Sequence, residues 1–75
     1  MKRKSQNELV LEYMERFGSI SPMDAFRDLS ITRLAARISD LIRRGVKIKK
    51  TVETAQNRFG RTIHYTRYSL EAVET

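Results

Sequence analysis

Cysteine is absent from the 75 residues, tryptophan is absent too, and histidine and proline occur once each. A chain without cysteine has no disulfide framework, no thiolate metal site and no thiol redox chemistry, and its expected compartment is the cytoplasm. One histidine among scattered carboxylates offers no zinc-ligand spacing, so no metal and no cofactor are expected. That histidine, His64, lies between Ile63 and Tyr65 with no serine or acidic residue placed to activate it, and it reads as a packing or surface residue of a strand. Glycine is sparse, and Gly18, Gly45 and Gly60 stand singly, which excludes a glycine-rich loop that cradles nucleotide phosphates. Apolar runs are short as well, far below the ~18 residues of a membrane span, and the opening "MKRKSQNE" has no apolar stretch behind its charges. Neither catalysis nor membrane insertion nor secretion is expected.

What the chain does have is charge, 32% of its residues, beside 40% hydrophobic residues, a balance that suits one small folded domain. Chains of ~60 residues bury only about 60% of the surface they expose when unfolded, so an enclosed catalytic cavity is hard to build and a binding surface is favoured. The net charge is +6, and it is unevenly distributed. Residues 1–30 balance Lys2, Arg3, Lys4, Arg16 and Arg27 against Glu8, Glu12, Glu15, Asp24 and Asp28. Residues 31–67 set Arg33, Arg37, Arg43, Arg44, Lys47, Lys49, Lys50, Arg58, Arg61 and Arg67 against only Asp40 and Glu53, a net +8. The first partner to consider is a polyanion, meeting the middle and carboxy-terminal half.

Ser5 followed by Glu8 forms a capping-box pattern, with the hydroxyl accepting from the Glu8 amide and the carboxylate returning to the Ser5 amide, and predicts a helix start. Val10, Met14 and Phe17, with Leu11 and either Leu9 or Tyr13, follow at helical spacing, and Gly18 ends the run. "SISPMD" then places Ile20 in a brief extended segment and starts a second, short helix with Ser21 as cap, Pro22 in its first turn and Asp24 near its positive end. Ala25, Phe26 and Leu29 supply its apolar side. Thr32 is the expected N-cap of a third helix, with Ser30 the competitor, and Leu34, Ile38, Leu41 and Ile42 form its buried face before Gly45 stops it. The opposite side carries Thr32, Arg33, Ala36, Asp40 and Arg43, with Arg37 and Arg44 on its shoulder.

After Gly45 the period changes to alternation. "VKIKKTV" directs Val46, Ile48 and Val52 to one side and Lys47, Lys49 and Thr51 to the other, Lys50 breaking the pattern, and "RTIHYTRYSL" makes a second strand with Tyr68 and Leu70 toward the core. "TAQNRFG" between them is a long, basic turn. Tyr13, Tyr65 and Tyr68 lie in different elements and are expected to pack rather than to stack on bases.

"GSISPMDAFRDLSITRLAARISDLIRRGVKIK", followed by "NRFG" and "YSL", resembles the small winged helix-turn-helix domains of bacteriophages and prophages. The resemblance spans roughly residues 5–71, with residues 1–4 a basic tail and 72–75 a carboxy-terminal tail. It implies an α+β fold of three helices and a two-stranded β-hairpin wing, with a short extra strand near Ile20, and a DNA-binding, regulatory role: a transcription regulator or an excisionase-like architectural factor. The second helix of such a pair lies in the major groove. Arg33 and Arg37 then offer forks to guanine, Ala36 allows close approach or touches a thymine methyl, and Thr32 with the free amides of the helix start suits a phosphate. Asp40 either holds a neighbouring arginine or accepts from a cytosine amine, and Arg44 is a phosphate contact. Arg58 and Arg61 at the hairpin tip suit a narrow minor groove, with Phe59 folding back over the hairpin rather than wedging into DNA. Lys47 and Lys49, with Lys50, are backbone neighbours or solvated strand charges. A half-site of this size binds weakly, so a homodimer or cooperative assembly on DNA is expected. The rival from another class is an adaptor or inhibitor that presents its basic face to an acidic host or phage protein.

Overall fold

The computed structural model describes residues 4–71; residues 1–3 of the expected 1–4 tail and the expected tail at 72–75 lie outside the described residues. Three helices precede one hairpin: α1 (Gln6–Phe17), α2 (Pro22–Leu29), α3 (Leu34–Arg43), β1 (Ile48–Gln56) and β2 (Thr62–Leu70).

Local chemistry sets the first two helices. The Ser5 hydroxyl accepts from the Glu8 amide at 3.2 Å, whereas the Glu8 carboxylate accepts from the Ser5 hydroxyl at 3.4 Å rather than from its amide. The complete reciprocal box is the next one: Ser21 Oγ accepts from the Asp24 amide and Asp24 Oδ2 from the Ser21 amide. Gly18, at φ +86°, ends α1 in the left-handed region, where an L side chain is strained, and its amide donates to the Met14 carbonyl. Ile20 then exchanges two backbone hydrogen bonds of 2.8 Å with Tyr68, giving the expected short extra strand.

The core is Val10, Met14, Ile20, Ala25, Ile31, Leu34, Ile38, Leu41 and Tyr68, drawn from all three helices and the base of the hairpin. Several expected core residues stay outside it. Phe17 is exposed and lies against Tyr13 instead, ring centroids 4.6 Å apart, while Asn7 takes a buried place on α1. Phe26, Ile42 and Val52 are also exposed. For Ile42 the cause is rotational: burial on α3 centres on Leu34, Ile38 and Leu41, which turns Ile42 out and draws Arg37 in. Val52 is lost because, opposite Thr66, it lies on the sheet face turned away from the one that Tyr65 and Arg67 set against the start of α2.

Ser30, not Thr32, settles the turn before α3. It sits in the left-handed region at φ +57° and closes α2, its amide donating to the Phe26 carbonyl. Ile31 then enters the core, and Arg33 becomes the N-cap of α3, with no side-chain hydrogen bond to the helix and Thr32 exposed beside it. β1 and β2 pair antiparallel from Ile48↔Leu70 to Gln56↔Thr62, so the ladder runs through Thr54–Gln56, residues expected in the turn.

Candidate nucleic-acid interface

The amino-terminal end of α3 differs from those of its neighbours. α1 and α2 each begin with a serine cap and an acidic residue in the first turn, and α3 has neither. Its first amides and the positive end of its dipole are left for an external acceptor, and Arg33 adds a full charge at the same place. Thr32, Arg33, Ala35 and Ala36 line one shallow hollow there, closed by Pro22 and Tyr68. Short side chains at 35, 36 and 39 keep the outward surface of this half of the helix low; Ala35 and Ser39 are exposed and Ala36 partly so.

Arg37 and Asp40 face elsewhere. Asp40 pairs with Arg43 and, at 3.4 Å, with Arg37, and Asn7 of α1 faces it. The Arg43 guanidinium foremost, with Arg37 adding and partial burial opposing, holds the Asp40 carboxyl below the usual carboxylate range. Arg37 is partly buried and its head is engaged by Asp40, so it is not the free fork that its spacing from Arg33 suggests. Arg44, at the other end of α3, has no carboxylate partner among the described residues.

Cross-strand partners share a face of the sheet. Lys50 stands opposite Tyr68 and so lies on the face that abuts the start of α3, followed along that face by Thr54 opposite His64. Lys49, opposite Ser69, lies on the other face with Glu53 and Arg67, and Lys47 precedes the strand beside Leu11, Leu70 and Glu71. Lys50 is therefore the strand lysine nearest in direction to Arg33, which alternation alone could not show.

Besides the Ile20–Tyr68 pair and the buried Tyr68, one arginine ties the hairpin to α2. Arg67 Nε donates to Glu53 Oε1 at 2.8 Å, and its Nη1 reaches Ser19 Oγ at 3.2 Å and Asp24 Oδ2 at 3.3 Å. Tyr65 Oη donates to the same Glu53 oxygen at 2.9 Å. Burial pushes the Asp24 carboxyl up, but its bonds from the Ser21 amide and hydroxyl, with Arg67 and Arg27 nearby, outweigh this and leave it lowered. The carboxylate that completes the α2 cap thus also fixes the angle of the hairpin. Arg67 and Asp24 are 43 positions apart, and no local pattern announces the pair.

At the tip, Asn57 Oδ1 accepts from the amides of Phe59 and Arg61 at 2.9 and 3.1 Å, an Asx turn, and the Gly60 amide donates to the Asn57 carbonyl with Gly60 at φ +77°. Phe59 does not fold back; it is 90% exposed at the end of an arm whose residues 54–64 are all exposed. Arg58 and Arg61 flank it without carboxylate partners among the described residues.

Thr32, Arg33 and Ala36 are thus brought together, Arg44 lies at the far end of the same helix, and Arg58 and Arg61 stand at the hairpin tip. Ala35, Ser39 and Lys50 join them by position. Among the described residues no group of three or more His, Cys, Asp or Glu side chains gathers as a metal site, and no helix is long and apolar enough to cross a membrane. A family model described as a winged helix-turn-helix domain matches residues 5–73. No curated protein and no solved structure matches the chain closely enough to count as a relative.

Proposed function

The chain belongs to the winged helix-turn-helix family, and from that premise we propose that it binds double-stranded DNA with Thr32 to Arg44 in the major groove and the Arg58–Arg61 tip against the minor groove or backbone. One observation carries the reading: Arg33, Arg44, Lys47, Lys49, Lys50, Arg58 and Arg61 have no carboxylate partner among the described residues, and all seven lie between α3 and the hairpin tip. Unneutralised cations on so small a domain repel one another, and a phosphate backbone relieves that repulsion. Arg33 is the free fork for a guanine edge, supported by the low surface of Ala35, Ala36 and Ser39. Thr32 and the uncapped amides of α3 take a phosphate, Arg44 another. Asp40 serves inside the protein, orienting Arg37 and Arg43.

The setting we favour is a bacteriophage or prophage protein acting by binding alone in the host cytoplasm, as a transcription regulator or an excisionase-like architectural factor. A single module of this size is a weak binder, so two copies on adjacent half-sites complete the assembly. Selection of bound sequences from a random duplex pool tests this directly. A recurring motif is expected, with Arg33→Glu and Arg44→Glu together abolishing retention. Retention that survives both reversals overturns the placement of α3 in the groove, and a wild-type protein that retains no duplex overturns the DNA reading and favours an adaptor whose basic face meets an acidic protein.

A further inference from the structure

We propose that the hairpin tip is a wedge: Phe59 enters a base step from the minor groove, unstacks it and bends the duplex. The proposal rests on the DNA-binding reading above and adds a mechanical act to it.

Phe59 has the highest exposure of the large hydrophobic side chains, 90%, well above Val52 at 70% and Phe17 at 67%. The turn beneath it does not need the ring. Asn57 Oδ1 holds the Phe59 and Arg61 amides, the Asn57 amide donates to the Arg61 carbonyl at 2.9 Å, and the Gly60 amide donates to the Asn57 carbonyl at 3.0 Å. A fixed turn thus presents an aromatic ring that contributes little to folding. Turns of this kind are ordinarily filled with polar residues, and an exposed phenyl group gains only when it finds an apolar partner.

The neighbours of the ring define that partner. Arg58 and Arg61 stand on either side, and the nearest acid along the hairpin, Glu53, is engaged by Arg67 and Tyr65. An apolar plate between two free guanidinium groups is complementary to an apolar stack between two rows of anions, which describes a base step seen from a minor groove walled by phosphates. Reach is sufficient: the pairs Thr54↔His64, Ala55↔Ile63 and Gln56↔Thr62 extend the exposed arm, each adding ~3.3 Å before the turn itself.

The test uses the whole protein and duplexes in which 2-aminopurine replaces adenine at successive positions across central TA steps, the steps that unstack most easily. Binding is followed by anisotropy of a terminal dye, and bending by energy transfer between the two ends. The wild-type protein is expected to raise 2-aminopurine fluorescence at one step and to bend the duplex by ~20–90°. Phe59→Ala is expected to bind about tenfold more weakly, the loss of one stacking contact, and to abolish both signals, while Phe59→Trp restores them. The ring has little contact with the fold, so the thermal midpoints of all three proteins should coincide. Wild-type binding with 2-aminopurine unchanged at every position overturns the wedge and leaves the DNA reading standing, as does a Phe59→Ala protein that still gives the full rise. No binding of any duplex by the wild-type protein overturns both.

Discussion

The two halves of the chain use their cations in opposite ways. From residue 4 to residue 30 every described cation is engaged: Lys4 and Arg16 with Glu12, and Arg27 with Asp24 and Asp28. These pairs are largely exposed and local to α1 and α2, where solvent screens them and each adds little to stability. From residue 31 to residue 67, Arg37, Arg43 and Arg67 are engaged and seven others have no carboxylate partner among the described residues. Net charge alone would describe the chain as basic throughout. The pairing pattern instead separates a frame whose charges are internally balanced from a surface whose balance must come from outside, and Arg67 and Asp24 fasten the second to the first.

The strongest way to break the contrast is to remove what both halves share. Ile38, on α3 but packed in the common core, is almost wholly buried. Ile38→Ala should cost about 2–5 kcal/mol, a large share of the stability of so small a domain, and chemical denaturation should show one cooperative transition in which helix and hairpin signals are lost together. Two separate transitions would mean that the frame and the binding surface are independent units.

Exchanging charges between the halves gives the next largest effect. Arg58→Glu with Arg61→Glu should weaken duplex binding by about 30-fold or more at ~0.1 M salt, with the thermal midpoint unchanged. Arg16→Glu with Arg27→Glu makes the same change in net charge, yet should alter binding by less than about threefold while lowering stability slightly. Equal losses in the two doubles would reduce the contrast to net charge.

Acid separates the halves more gently. Asp28 is held at about 2 by the Arg27 guanidinium and the Tyr13 hydroxyl, Glu12 is lowered by Lys4, and Asp24, Asp40 and Glu53 also lie below their ordinary values. Below about pH 4 the unfolded chain takes up protons at these groups before the folded one does, so the stability they contribute is complete above that pH and is lost as pH falls through the folded values. Thermal midpoints measured from pH 7 to pH 2 should stay level and then drop. Asp24→Asn, which loses charge toward both Arg27 and Arg67, should start lower and fall less steeply. An unchanged slope would remove Asp24 from the fastening between the halves.

Features set by neighbouring residues were readable before the structure, and those set by distant ones were not. The serine caps, Gly18 and the brief extended segment at Ile20 follow from short-range chemistry and pattern, whereas the partner of that segment, Tyr68, does not. The start of α3 does not, because Ile31 is pulled into a core built from three helices and drags Thr32 out of the capping position. The rotation of α3 escapes a helical-wheel reading for a related reason. Arginine can lay its stem on a core edge and still hold a carboxylate, so Arg37 looks polar by type while acting as partial cover. Asn7 and Phe17 exchange expected places on α1, a choice made by the facing surface of α3 and by Tyr13 rather than by periodicity. The tendency of aromatic rings to bury themselves predicts Phe59 against the hairpin, and the turn held by Asn57 presents it outward instead. Of the candidate interface, then, the charges were legible as a set. Which of them were already engaged was not, and that divides Arg33 from Arg37; the sheet face that separates Lys50 from Lys49 was not legible either.

The central claim is that the unengaged cations form one surface for a phosphate backbone, and the dependence of duplex affinity on salt tests it most directly. With about six phosphates neutralised, a plot of log K against log salt concentration should be linear with a slope near −5, flattening by roughly 1 for each of Arg33, Arg44, Arg58 and Arg61 replaced singly by glutamine. A wild-type slope shallower than about −1, or one that those four replacements leave unchanged, would contradict the account.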